Sequence, residues 1–140
     1  MTAAFVPQHP NHGVCRPWFQ RAKVGELQGY VSLHTVAELY SVLTKLPLAE
    51  KITPTTAQGI ILSSLEGFVK VRLDLADYVA AIEVVTQYGL VSGAVFDAVI
   101  AQAGLKVGVD RILTFNVRDF ERLGDEVRGL MEVPIAPNTP

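Results

Sequence analysis

Short strand-like runs alternate with longer helical segments along this chain, and that alternation limits its possible folds more than any other feature. "GYVSLHT" (29–35), "FVKVRL" (68–73), "RILTF" (111–115) and "GLMEV" (129–133) are rich in β-branched and aromatic residues and read as strands. Residues 11–24 read as a helix interrupted by Pro17. The pattern predicts further helices over 35–46, stopping before Pro47, and over 53–68, with Pro54 in the first turn. It also predicts helices over 75–89, closed by Gly89, and over 92–108, capped by Ser92 and closed near Gly108. "RDFERLGD" (118–125) reads as a short helix. Strands alternating with helices predict an α/β fold with a mostly parallel sheet.

Composition narrows the class. The chain has 140 residues, long enough for one domain with a sizeable core, and is 49% hydrophobic, which excludes a disordered protein. No apolar run reaches the roughly 18 residues of a membrane helix, so no membrane partner is expected. The start lacks the pattern of a cleavable signal, and a cytoplasmic location is the expectation. Cys15 is the only cysteine, which excludes an intrachain disulfide and a cysteine-based zinc site. The net charge of −2 does not resemble the basic excess of most nucleic-acid binders, although a local basic patch would serve.

In parallel α/β sheets, sites gather beyond the carboxyl ends of the strands. Glu38 follows the first strand-like run, and Asn116 and Asp119 follow the third. Asp97 opens a helix that runs back antiparallel to the strand after it, which places it at the same edge. Glu38, Asp97 and Asp119 are therefore expected to converge. Gathered carboxylates repel unless neutralised, and a hard cation with oxygen ligands, Mg²⁺ or Mn²⁺, is the natural counter-charge. Such a centre suits phosphoryl chemistry.

Each acid also has a purely structural reading. Thr35-x-x-Glu38 fits a capping box, Asn116-x-x-Asp119 fits a similar cap, and Asp97 complements a helix dipole. Arg118, with Arg111 and Arg122, is placed to contact phosphate or to stay solvated. His9-x-x-His12 has metal-pair spacing inside a Pro/Asn turn, and His34 reads as a packed or rim histidine. Arg16, Arg21 and Lys23 form a basic face on the early helix. There is no glycine-rich phosphate loop.

Three segments together resemble a PIN domain: "HPNH", "TVAELYSVLTKLP" and above all "SGAVFDAVIAQAGLKVGVDRILTFNVRDFERLG". The resemblance is closest to the VapC-type toxins of toxin–antitoxin pairs and runs from about residue 3 to residue 133. It implies a three-layer α/β/α domain over 1–133 with a tail over 134–140, and a metal-dependent endoribonuclease that is a homodimer held silent by a VapB-type antitoxin. It maps the acidic Mg²⁺ or Mn²⁺ ligands onto Glu38, Asp97 and Asp119, and polar positions beside them onto Thr114 and Asn116. The family's opening strand, which ends in an Asp-Thr/Ser motif, has no counterpart here, and no acid precedes Glu26. The expectation is that the natural product begins upstream of Met1. A second expectation is an inactive module that binds antitoxin through helices 35–46 and 54–67, with Leu39, Val42, Leu43, Ile60, Ile61 and Leu65, most of which read instead as core and dimer packing. A nuclease acting on DNA would share the same metal chemistry.

Overall fold

A computed structural model of the chain describes residues 1–135. The expected tail over 134–140 lies, from residue 136 on, outside the described residues. Contacts divide the chain into two units. Unit 1 holds Met1–Val31 and Thr35–Lys70 together with Ile135; unit 2 holds Ser32–His34 and Val71–Pro134.

Unit 1 contains α1 (Thr2–Phe5), α2 (His12–Lys23), β1 (Gly29–Ser32), α3 (Leu33–Lys45), α4 (Pro54–Ser64) and β2 (Phe68–Val71), a few end residues of which belong to unit 2. Strands β1 and β2 are hydrogen-bonded neighbours. Gly29 permits their approach: a Cβ there would lie 2.6 Å from the Phe68 ring. That ring stacks on Phe19, whose edge meets Phe5 at a centroid distance of 4.7 Å. A second cluster of Val6, Leu39, Leu43, Ala57 and Ile61 joins α3 to α4. Helix α4 starts as its sequence predicts, with Pro54 in the first turn and the Thr53 hydroxyl accepting the Thr56 N–H at 3.1 Å. Helix α2 continues through Pro17 at the cost of one ladder bond.

Two expectations around the start of α3 are corrected. The first strand ends at Ser32 rather than at residue 35, because the Ser32 hydroxyl accepts the His34 N–H at 3.2 Å and turns the chain into α3. Thr35 therefore lies inside the first turn, and Thr35-x-x-Glu38 is not a capping box. The His9/His12 pair serves its own turn. His9 Nδ1 accepts the Asn11 N–H at 3.1 Å, and His12 Nδ1 lies 2.9 Å from the Ala3 carbonyl. Beyond the last strand, the Ile135 carbonyl accepts the Trp18 indole N–H at 2.7 Å.

Unit 2 contains α5 (Leu75–Gln87), α6 (Ala94–Val107), β3 (Ile112–Leu113), α7 (Val117–Glu121), α8 (Asp125–Arg128) and β4 (Met131–Glu132). Strands β3 and β4 pair in parallel, Ile112 with Met131 and Leu113 with Glu132. The mixed α/β class and the parallel pairing agree with the sequence. The pairing takes the form of two two-stranded ladders, each strand shorter than its sequence run. The run over 129–133 shortens because Gly129 and Leu130 still donate back into the turn of α8. One core binds the unit: Ala81 and Val85 of α5, Ala94, Ala98, Val99 and Ala101 of α6, then Phe120, Leu123 and Val127. The α6 contribution is almost all alanine, so the helix backbone packs close to its neighbours. Gly104 extends that closeness, since a Cβ there would meet Val109 at 3.1 Å and Ile112 at 3.2 Å.

Helix α6 closes at Gly108 with φ 65°, as its sequence predicts. Its start differs. Ser92 is not the cap but takes a left-handed φ of 57°, and Gly93 stands at the N-cap without a side-chain bond. The segment expected as one helix over 118–125 is split into α7 and α8 by Gly124, whose φ of 107° no other residue type adopts readily.

An unforeseen device holds α5 to α6. Asp74 and Asp77 form a reciprocal capping box, and Lys106 of α6 pairs with Asp77 and lies 3.5 Å from Asp74. The hydrogen bond from Lys106 holds the Asp77 carboxyl below its ordinary range, with the Asp74 backbone adding to the effect. The same bond raises the Lys106 ammonium. Asp77 thus contributes stability above the ordinary carboxylate pKa of about 4, and loses it as pH falls toward its lower folded value. Lys106 contributes below about 10.5 and loses it as pH rises through its raised folded value. Lys106→Met is expected to flatten the fall in urea midpoint below about pH 4. An unchanged acid limb would exclude the device as a source of stability.

Candidate active site

Of the six residues expected at the acidic site, all but Glu38 lie on unit 2. Asp97 stands in the first turn of α6, half-buried, between the exposed Phe96 and the buried Ala98. A Cβ on Gly104 would meet Ile112 at 3.2 Å, so the last turns of α6 pack against the start of β3. The chain leaving β3 carries Thr114, Asn116, Arg118 and Asp119 into α7, whose Phe120 enters the same core as Ala98. Glu38 stands on α3 in unit 1, half-buried and next to the buried Leu39.

The turn after β3 is built by Thr114. Its hydroxyl oxygen accepts the Asn116 N–H at 3.0 Å, while its own N–H donates to the Glu132 carbonyl at 3.1 Å. Asn116 is the N-cap of α7 but makes no side-chain cap bond, so the expected Asn116-x-x-Asp119 cap does not form. The Asp119 Oδ1 instead accepts from Arg122 Nη2 at 2.9 Å, with both side chains about half exposed. Arg118 is exposed. Arg111 is bound to Glu132 across the ladder at 2.8 Å, which favours its structural reading over phosphate contact. Arg21 pairs with Glu26 and Lys23 with Glu66, so the basic face of α2 is partly neutralised.

His34 belongs to unit 2, where its ring stacks on Phe96 at 5.2 Å and 18°. The reading of His34 as a packed histidine stands. The aromatic neighbour directly before Asp97 carried no periodic signal and was not foreseen.

The donor set of unit 2 consists of carboxylate, amide and hydroxyl oxygens. Oxygen donors fit Mg²⁺ or Mn²⁺ and do not fit a thiophilic ion. The ion pair on Asp119 is no obstacle: an exposed pair is worth about 0–1 kcal/mol, and its arginine is easily displaced. Among the described residues, no group of three or more His, Cys, Asp or Glu side chains is close enough together to hold a metal ion.

A family model described as the PIN domain matches residues 2–126. The chain belongs to the PIN-domain family. PIN domains are generally nucleases, often metal-dependent, and act on RNA or other nucleic acid. The mixed α/β fold with short parallel strands is the PIN-like fold. A comparison with curated proteins found no match. Among the described residues of this PIN domain, no helix is long and apolar enough to cross a membrane.

Proposed function

We propose that this PIN domain is a metal-dependent endoribonuclease, the toxin of a VapBC-type pair, working in the cytoplasm. The observation that carries the reading is the pair of carboxylates in unit 2. Asp97 and Asp119 ride on two helices packed into one core, one acid before β3 and one after it. Glu38 is assigned as the third acidic ligand by the family resemblance. Acids in these family positions would hold Mg²⁺ or Mn²⁺, which when bound activates a water and neutralises charge on a phosphodiester.

The remaining roles belong to the chain's own residues. Asp119 is held by Arg122 in the free protein, and a phosphate competing for that guanidinium releases the carboxylate. Arg118, exposed on the same helix, supplies a second positive charge to the strand. Thr114 fixes the turn and thereby the backbone of Asn116, whose side-chain amide would orient the substrate.

The purified chain is expected to cut total and transfer RNA with Mn²⁺ or Mg²⁺, and to stop when EDTA is added. Folded protein that cuts no RNA with either metal would overturn the reading in favour of a module that binds antitoxin without cleaving.

Two surfaces support the partners. On α5, Leu75, Tyr78, Val79 and Ile82 are 79%, 37%, 43% and 51% exposed. Their spacing makes one apolar stripe, the kind of face that a homodimer covers. Ile82→Glu is expected to yield a monomer by light scattering at concentrations where the parent is a dimer; an unchanged mass would exclude this face. In unit 1 a groove of about 500 Å³ runs between α3 and α4, lined by Val36, Tyr40, Pro54, Ile61 and Leu62, and suits an apolar antitoxin segment. Of the apolar residues named for these helices, Leu39, Leu43 and Ile61 are buried core residues and Ile60 and Leu65 pack against that core, in line with their reading as core.

A further inference from the structure

A second cleft lies in unit 2, between the end of α5 and the turn joining α7 to α8. It encloses about 470 Å³ and is lined by Tyr88, Leu90, Glu121, Arg122, Gly124, Asp125 and Arg128. We propose that this cleft is a subsite for one nucleotide of a single RNA strand, lying next to the cleaved bond; the inference rests on the ribonuclease reading.

Three observations converge on that ligand. The first is an aromatic face. Tyr88 is 47% exposed, and its phenol end rests against Gly124, where a Cβ would lie only 2.7 Å from the hydroxyl oxygen. The ring is thus braced at its tip while much of it stays open to solvent. A braced ring in a cleft that Leu90 also lines is a platform for a nucleobase, and such stacking tolerates any base.

The second is paired positive charge. Arg128 lies 2.7 Å from Asp125, and Arg122 lies 2.9 Å from Asp119; all four side chains are about half exposed or more. Both arginines are pre-oriented, and both ion pairs are of the weak exposed kind that a phosphate displaces. Two acids offset two arginines in the lining. The cleft therefore suits a single phosphodiester with its base, not a polyphosphate.

The third is continuity. Arg122 is a wall of the cleft and also the partner of Asp119. A strand seated on Tyr88 and Arg128 has its next phosphate within the reach of Arg122, beside the proposed catalytic carboxylate. Loop and single-stranded RNA offers the unstacked bases this arrangement needs, and duplex RNA does not.

The test uses fluorescein-labelled oligouridylate and the full chain carrying Asp97→Asn, so that binding is read without cutting. Added Tyr88→Ala and Tyr88→Leu are each expected to weaken binding about ten-fold, and Tyr88→Phe to preserve it. Arg128→Gln should also weaken it and lower the slope of log affinity against log salt by about 0.7, the share of one phosphate contact on a single strand. In chains retaining Asp97, the same substitutions should raise KM and leave kcat within about two-fold. A merely structural role for Tyr88 would lower the melting temperature and leave the salt slope and the rescue by phenylalanine unexplained. Parent-like affinity and salt slope in folded Tyr88→Leu and Arg128→Gln, alongside metal-dependent RNA cutting by the parent, would overturn the subsite and leave the ribonuclease reading standing. No RNA cutting and no oligouridylate binding by the parent would remove both.

Discussion

Asp97→Asn is expected to lower metal-dependent RNA cleavage about 1,000-fold, a loss of about 4 kcal/mol in transition-state stabilisation. The substitution keeps the shape of the side chain and removes its charge. Affinity for a hard cation follows ligand charge and number, so one neutralised ligand weakens the whole set. Stability should move far less, because the amide keeps the side chain's shape and polar atoms, and the charge of an acid in the first turn of a helix contributes about 0.3–1 kcal/mol through the dipole. The two readouts therefore separate: cleavage collapses while the urea midpoint shifts slightly. Cleavage by the variant equal to the parent, at equal purity and metal concentration, would sink the assignment of Asp97.

Phe120→Ala carries the second large effect, and it falls on stability. Phe120 is 5% exposed and packs with Ala98, Val99, Leu123 and Val127. Emptying such a position costs about 3–5 kcal/mol, a large share of a typical total of 5–15 kcal/mol. Helix α7 has five residues, far too few to hold its shape unaided, so the placement of Asp119 depends on the ring beside it. The variant is expected to lose cleavage together with its urea midpoint, and Phe120→Leu to recover most of both. A midpoint within experimental scatter of the parent would show that the core of unit 2 does not rest on this residue.

Much of this protein is written locally. The order of helices and strands, the closures at Gly89 and Gly108 and the start of α4 at Pro54 depend on residues within a turn of one another, and they follow from short-range chemistry. The acids were legible to the same depth: their elements could be named, because a strand–helix succession fixes which residues leave a strand's end. What escaped depends on distant neighbours or on a single dihedral. Lys106 reaches Asp77 across 29 positions, and no periodicity announces it. Ser92 looked like a cap by residue type, yet its left-handed backbone turns it aside and leaves the position to Gly93. The Thr114 hydroxyl was read as part of the site and is engaged in building the turn below it. The cleft beside Tyr88 exists because Gly124 lacks a side chain, and only a folded chain brings residues 88 and 124 together.

The separate cores of the two units set a timetable for synthesis. The described core of α3 and α4 is complete once Leu65 has been made, and Asp97 follows it by thirty-two residues. At about 5–20 residues per second, the ribosome needs roughly 2–6 s to cover that interval. Hydrophobic collapse of a chain this size takes about 10–100 μs. The core of α3 and α4 can therefore collapse as it leaves the ribosome, before the acids at 97 and 119 have themselves emerged. On the toxin reading proposed above, the chain would present its groove before it acquires those carboxylates.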